Sequence, residues 1–428
     1  MRKLTKWLIL LWVLQTGITP PLQAQAPQPL TLEQAYELAR SNYPLIRQKE
    51  LIQKTALISI ENLQKGFLPQ LSISGQATYQ SAVTEVKIPV PGVTVEPLSK
   101  DQYKLVADIN QMIYDGGVNR EQKNIQQLSA NVEEQKLEVE LYKLKERINQ
   151  IYLGVLFFDE QLKQVELVKL DIRNGIKKVE AQVANGVAFR SNLNLLEAEL
   201  LKAEQRTVEL KASRSGLVKA LSIFLNQSLP ADILLATPVV ADPVTDESSI
   251  TRPELQMYSS QVKLIDRQVR LIDAKNLPKA SLFVQAGYGR PGLNFLKNEF
   301  EPYYISGVRL NWSLGGWYTQ KKEKAQVEIN RKMVDAQRET FLLNTKSSLV
   351  QQKADIDKLQ QLISMDNDII QLRVKVKEAA KAQLDNGVIT ANDYLREVNA
   401  EDLARQSLIA HQLQWLQARI NYKNTSGN

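Results

Sequence analysis

Cysteine is absent from all 428 residues. Disulfides, thiolate metal sites and a lipidated N-terminal cysteine are therefore excluded. Histidine occurs once, at His411, with no second histidine or cysteine to complete a metal or catalytic set. Glycine loops for phosphate are missing as well: Gly287, Gly289 and Gly316 lack the strand–loop–helix context that such a loop needs. No nucleophile elbow occurs. The pairs Glu133-Glu134 and Glu197 with Glu199 lie on helical patterns and read as solvated faces. Nothing here points to an enzyme or to a bound cofactor or metal.

Long apolar runs are scarce. The first 26 residues carry Arg2, Lys3 and Lys6, an apolar run from Trp7 to Leu14, and Ala24-Gln25-Ala26. This is the pattern of a secretory signal peptide, with an apolar run too short to span a bilayer. Beyond it no window approaches the roughly 20 consecutive apolar residues of a membrane helix. Removing it takes away three basic residues and no acid, so the net charge falls from +7 to +4. Both signs alternate along helical segments, which argues against a nucleic-acid partner. With 43% apolar and 24% charged residues, the chain has ample material for a core and is not a disordered one.

What is present comes twice. Leu68-Pro69-Gln70-Leu71 with Gln76-Ala77-Thr78-Tyr79 corresponds to Leu277-Pro278-Lys279-Ala280 with Gln285-Ala286-Gly287-Tyr288, at an offset of 209. Gly116-Gly117 corresponds to Gly315-Gly316 at 199, and Asn185-Gly186-Val187 to Asn386-Gly387-Val388 at 201. Three matches in one order identify a duplication. The first copy spans 27–226, a proline-bearing linker follows at 227–251, and the second copy spans 252–428.

Each copy reads helix, strand, loop, strand, long helix, turn, helix. Thr31 and Gln34 form a capping-box pattern, opening a helix expected to run to about Lys65, where Leu68-Pro69 stops it. From Leu71 the period becomes two, with Leu71, Ile73, Gly75, Ala77 and Tyr79 opposite Ser72, Ser74, Gln76 and Thr78. Tyr103, Leu105, Ala107 and Ile109 continue it. The second copy supplies Leu282, Val284, Ala286 and Tyr288, then Tyr304, Val308, Leu310 and Trp312. Between Gly117 and Ala184, Leu137, Leu141, Leu144, Ile148, Ile151, Val155, Phe158, Leu162 and Val165 step by four and three, as in a left-handed coiled coil. Leu362, Met365, Ile369, Leu372, Val376 and Ala379 keep the same step in the second copy. Residues 117–184 make a rod of about 100 Å, and the helices at 31–65 and 191–226 each match about half of it. The expected architecture is a helical rod with strands at one end and turns at the other, the linker lying near its middle.

Four strands cannot close a barrel, and an open edge in lipid leaves backbone groups unpaired. Closure requires further chains. Strands of this length suit an outer-membrane barrel, with Tyr79, Tyr103, Tyr303, Tyr304 and Trp312 as candidates for its aromatic girdle. The other reading is a soluble antiparallel sheet capping a coiled coil.

The Thr31-Leu32-Glu33-Gln34-Ala35 opening, the two Leu-Pro strand starts, Tyr114-Asp115-Gly116-Gly117 and the paired Asn-Gly-Val turns together resemble the TolC family of outer-membrane efflux proteins, over about Leu30 to Asn424. The resemblance implies an α+β membrane protein: a homotrimer whose coiled-coil hairpins form an α-barrel and whose four strands per chain build a twelve-stranded barrel in outer-membrane lipid. It also implies a passive exit duct of a tripartite efflux pump or type I secretion system, fed by an inner-membrane RND or ABC transporter. The turns at Asn185, Gly186, Val187 and Asn386, Gly387, Val388 would then be the periplasmic tip that docks an adaptor protein.

In similar proteins an acidic ring near the closed tip gates the channel. Asp393 stands six residues beyond Gly387, with Asn192 as its uncharged counterpart and Arg396 where a second acid is common. Asp393 equally suits a helix start, where the dipole favours an acid. Pro69, Pro278, Gly116, Gly117, Gly315 and Gly316 are expected to shape the strand–helix passages. The competing function class is a non-channel periplasmic coiled-coil adaptor or scaffold.

Overall fold

The computed structural model describes residues 29–85, 97–240 and 250–427. The expected signal peptide and most of the first interstrand loop lie outside them. The helices are α1 Leu32–Asn42, α2 Arg47–Lys65, α3 Val118–Ala184, α4 Arg190–Leu225, α5 Pro253–Lys275, α6 Trp317–Asp385 and α7 Ala391–Ser426. The strands are β1 Gln70–Tyr79, β2 Asp101–Tyr114, β3 Lys279–Arg290 and β4 Glu301–Asn311. No helix among the described residues is long and apolar enough to cross a membrane.

The capping box forms at the start of α1: the Gln34 N–H donates to Thr31 Oγ1 at 3.2 Å, and the Thr31 N–H to Gln34 Oε1 at 3.0 Å. The opening helix is not continuous, as the sequence pattern suggested. Tyr43 is extended (φ −67°, ψ 125°) ahead of Pro44, and a short 3₁₀ turn separates α1 from α2. A proline crowds the residue before it out of helical geometry, so the apolar periodicity continued across a break it could not register.

Two compact units each take segments from both copies of the duplication. The first, comprising residues up to 38, 150–239 and 373–409, contains both helix–helix turns. Its core gathers Ile172 and Val179 of α3, Leu196 of α4, Ala380 and Leu384 of α6, and Tyr394, Leu395 and Val398 of α7. Leu30 lies parallel to the linker, its N–H donating to the Leu234 carbonyl and its carbonyl accepting from Ala236 N–H, both at 3.0 Å. The Tyr152 hydroxyl, near the midpoint of α3, sits 2.6 Å from both the Leu30 and Ala236 carbonyl oxygens. Tyr152 is fully buried, and burial raises the pKa of its phenol. This part of the linker therefore packs at mid-helix, as expected from the half-length helices.

The second unit, residues 39–149, 240–372 and 410–428, holds one antiparallel sheet in the order β1-β2-β3-β4. Leu71 pairs with Ile109, Ile109 with Val284, and Leu282 with Val308, so the alternating apolar residues of all four strands share a face. A bulge between Met112 and Tyr114 shifts the register at the end of β2. Within this unit α2 runs antiparallel to α3, with Gln53 Nε2 donating to Glu134 at 3.0 Å and Asn119 to the Leu63 carbonyl.

The 3-4 stripe of α3 is buried or half-buried at every position from Leu137 to Val165. The stripe expected in α6 is not: Met365, Ile369, Leu372 and Val376 are exposed. α6 instead buries a stripe one residue away, including Leu359, Asp366, Ile370, Ala380 and Leu384, with Lys377 half-buried. The buried stripe is the less apolar one because its charges have partners, His411 for Asp366 and two carboxylates for Lys377. Apolar periodicity alone favoured the stripe that this chain leaves uncovered.

Replacing Tyr152 by Phe removes the hydroxyl that serves two carbonyls and is expected to cost about 1–2 kcal/mol locally. Amide hydrogen exchange at Leu30 and Ala236 should accelerate by about tenfold, each 1.4 kcal/mol being tenfold; unchanged exchange would refute the clasp.

Candidate channel wall and hairpin tips

The sheet has two chemically distinct faces. On one, Leu71, Ile73, Leu105, Ile109, Val284, Val308 and Leu310 are all exposed. The other carries Ser72, Ser74, Gln76, Lys104, Asp108, Gln285 and Arg309, with Gln285 Nε2 donating to Asp108 at 2.5 Å and the Arg309 guanidinium 4.7 Å over the Phe283 ring. An exposed sheet face this uniformly apolar is unfavourable in water, at roughly 25 cal/mol per Å² left uncovered. It suits lipid.

Aromatic side chains flank the apolar band. Tyr79, Tyr103, Tyr288 and Tyr304 are exposed at the loop end, and Tyr114 and Trp312 at the helix end, where Trp317 packs edge-on to Trp312 at 5.8 Å. Tyr103 and Tyr114 lie eleven residues apart on β2. At ~3.3 Å per residue and the usual ~45° tilt, that separates the belts by about 25 Å, the height of an outer-membrane band. The bulge keeps Tyr114 opposite Ala280 and so on the apolar side. Tyr303 does not join the girdle: it pairs with Gly287 on the polar face, one residue out of phase with Tyr304.

The strand–helix passages differ between the copies. Gly116 and Gly117 both have positive φ, and a Cβ on Gly116 would meet the Ala274 carbonyl at 2.7 Å. Asp115 accepts from the N–H groups of Gly117 at 2.8 Å and Asn119 at 2.6 Å, capping α3. Gly315 and Gly316 lie in a 3₁₀ turn with neither glycine at positive φ, and Trp312 Nε1 there donates to the Asn276 carbonyl at 3.0 Å. Pro69 stands just before β1 and Pro278 just before β3.

The two Asn-Gly-Val turns are built alike. Gly186 (φ 72°) donates to the Val183 carbonyl at 3.0 Å and Val187 to Gln182 at 2.8 Å; Gly387 (φ 70°) donates to Leu384 at 3.0 Å and Val388 to Gln383 at 2.8 Å. This is the Schellman closure, which needs a left-handed residue that glycine supplies at least cost. The asparagines serve differently, their side-chain Nδ2 atoms donating to Ala181 at 2.9 Å and Ala382 at 2.8 Å. Gln182 Nε2 also donates to the Leu384 carbonyl at 2.8 Å, joining one turn to the other.

Beyond the glycines the likeness ends. Thr390 and Asp393 form a capping box: the Asp393 N–H donates to Thr390 Oγ1 at 3.3 Å, and Asp393 Oδ2 accepts from the Thr390 hydroxyl at 2.7 Å and N–H at 3.2 Å. These Thr390 hydrogen bonds hold the Asp393 carboxyl below its usual pKa. In the first turn Phe189 occupies the cap position with no side-chain bond and is 82% exposed, while the Asn192 N–H donates to the Phe189 carbonyl at 3.0 Å.

Away from the turns, the same unit holds a polar knot that periodicity did not reveal. Lys377 of α6 lies 2.7 Å from Asp171 of α3 and 2.6 Å from Glu401 of α7, and Arg405 donates to Glu401 at 2.7 Å. Gln164 of α3 and Arg206 of α4 converge on Asp402 at 3.0 and 3.2 Å. Burial opposes the charge on Lys377, but its two carboxylates outweigh it and raise the pKa; burial likewise opposes the charge on Glu401, and its two cations lower that pKa. The signal in the sequence was a charge set within an otherwise apolar 3-4 stripe. His411 is half-buried, with Nδ1 2.6 Å from Asp366. Among the described residues no cluster of potential ligands could hold a metal ion.

Residues 35–226, almost the whole first copy, match the family described as outer membrane efflux protein. No curated protein matches the sequence significantly. Among solved structures the fold is similar to the outer membrane protein VceC from Vibrio cholerae, with 15% identity, TM-score 0.66, and coverage of 93% of this chain and 96% of that one. It is also similar to the CmeC outer membrane channel of Campylobacter jejuni (14%, TM-score 0.63, 92% and 85%) and to the open state of the MtrE channel of Neisseria gonorrhoeae (14%, TM-score 0.62, 93% and 89%). The likeness to these three channels is one of fold.

Two expectations follow for its tips. Thr390→Ala should raise amide exchange at Asn392 to Tyr394 several-fold, whereas Phe189→Ser should slow it at the start of α4, because a cap is lost in one and supplied in the other. Lys377→Met removes the cation of Asp171 and leaves Glu401 with Arg405 alone, and should cost about 3 kcal/mol. The depressed pKa of Glu401 stabilises the fold above its unfolded value of 4.5 and is lost as pH falls through its folded value. The raised pKa of Lys377 stabilises below 10.5 and is lost as pH rises beyond that. Urea titrations of the wild type and of Lys377→Met should therefore differ by a constant amount between about pH 5 and 10, the difference shrinking outside that window.

Proposed function

We propose that three copies of this chain close a twelve-stranded barrel and a helical tunnel, forming the exit duct of a tripartite efflux pump or a type I secretion system. One observation carries the reading: a four-stranded sheet with an apolar face ends at β1 and β4 with no further strand among the described residues, and lipid cannot satisfy those edges. Pairing β4 of one copy with β1 of the next satisfies both, and three copies give twelve strands. The exposed stripe of α6 through Met365, Leu372 and Val376 supplies the matching helical contact. Members of the family are trimeric outer-membrane channels that work with adaptors and inner-membrane pumps.

The polar sheet face then lines the pore. The tips at Asn185, Gly186, Val187 and Asn386, Gly387, Val388 engage a periplasmic adaptor, with Val187 and Val388 exposed to meet it. The inner-membrane RND or ABC transporter supplies the energy. Opening requires the α6–α7 hairpin to shift against α3–α4, two packings of the same helices being the bistable element. Lys377, bridging α3 to α6 and α7, is the restraint to be released. Asp393 contributes to closure chiefly through the rigid start of α7, and Asn192 stands at the looser start of α4. The duplication boundaries at 27–226 and 252–428, joined at 227–251, put one hairpin of each kind in every subunit.

Purified protein should migrate as a heat-sensitive trimer from outer membranes and conduct ions across a planar bilayer, with Lys377→Met increasing the fraction of time open. A monomer without conductance, alone or with an adaptor present, would sink the reading.

A further inference from the structure

The loop between β3 and β4 places large apolar side chains where turns ordinarily carry polar ones. The Lys297 N–H donates to the Asn294 carbonyl at 3.2 Å, closing a turn whose two central residues are Phe295 and Leu296. The Asn294 side chain accepts from the Leu296 N–H at 3.0 Å and fixes that turn. Phe295 is 70% and Leu296 61% exposed, and Leu293 beside them is exposed too. Such central positions favour Gly, Asn, Asp or Ser, so two bulky apolar residues there call for a cover.

The loop is held on the lipid-facing side of the sheet. Its last aromatic, Phe300, stacks on Tyr288 with centroids 5.6 Å apart and lies 6.2 Å from Tyr103, both on the apolar face. Arg290 sits over the Tyr103 and Phe300 rings and pairs with Asp101. Lys297 bonds Glu301 at 2.9 Å, and Asn298 exchanges hydrogen bonds with Ser99 of the neighbouring loop at 3.0 and 2.9 Å. The turn is thus preorganised at the rim of the aromatic belt, continuous with the face that meets lipid.

We propose that this turn is a membrane anchor: Phe295 and Leu296 insert into the outward-facing leaflet of the outer membrane beside the barrel. The partner is a lipid surface, met through the headgroup–acyl boundary where Phe and Leu partition while Lys297 and Arg290 stay at the polar level. The inference rests on the outer-membrane reading of the sheet and adds to it a contact beyond the strands.

The absence of cysteine makes the test direct. Spin labels at Phe295→Cys or Leu296→Cys, in trimers reconstituted into phospholipid vesicles, are compared with Leu310→Cys on the sheet face and Glu299→Cys in the same loop. Collisions with oxygen should exceed those with a water-soluble nickel complex at 295, 296 and 310, and the reverse should hold at 299. Nickel-dominated collisions at 295 and 296, with 310 in lipid, would overturn the anchor and leave the barrel reading intact. A label at 295 immobile and inaccessible to both reagents would mean burial against another subunit and would equally overturn it. Nickel-dominated collisions at 310 would instead remove the outer-membrane reading on which the anchor rests.

Discussion

Backbone hydrogen bonding in a medium without water is the constraint on which the rest of this protein depends. Each unpaired N–H or carbonyl in hydrocarbon costs several kcal/mol, so a sheet that enters lipid must have no edge. Among the described residues the sheet stops at four strands, one face is apolar from Leu71 to Leu310, and its two edges are open. Everything proposed about assembly follows from that mismatch. Closure requires further copies of the chain, and that requirement underlies the proposed assembly.

The helical part meets the opposite requirement under the proposed function, because a duct must hold together yet have a second arrangement. Two hairpins with closely matching Schellman turns would make a symmetric tip. The residues after the glycines break that symmetry: Thr390 and Asp393 lock the start of α7, while Phe189 leaves α4 without a side-chain cap. The Lys377 knot ties α6 and α7 to α3 with charges held in a largely excluded environment. Such ties are strong when complete and costly when one partner leaves. They suit an element meant to rest in one state and pass cleanly to another.

Much of the architecture was legible in order and spacing. The duplicated Leu-Pro, Gly-Gly and Asn-Gly-Val signals placed every strand and both turns, because each marks a backbone geometry that few other residues permit. Alternation placed the apolar sheet face correctly but assigned Tyr303 to the wrong side, since Tyr303 and Tyr304 are equally aromatic and only the register with Gly287 distinguishes them. Pro44 breaks a strong helical period that runs through it unchanged in the sequence. The α6 stripe misled for a sharper reason: periodicity finds the most apolar stripe, whereas the folded chain buries a neighbouring one whose charges are paired.

The sequence by itself determined the export signature, the twofold plan, the strand count and the turn positions, all of which are local patterns or counts along the chain. Only the tertiary structure decided which α6 face is covered, that Lys377 joins three helices, and that Phe295 and Leu296 project from a turn fastened to the aromatic belt. These depend on partners that lie tens to hundreds of residues away in sequence or in a neighbouring strand. Neither leaves a periodic trace.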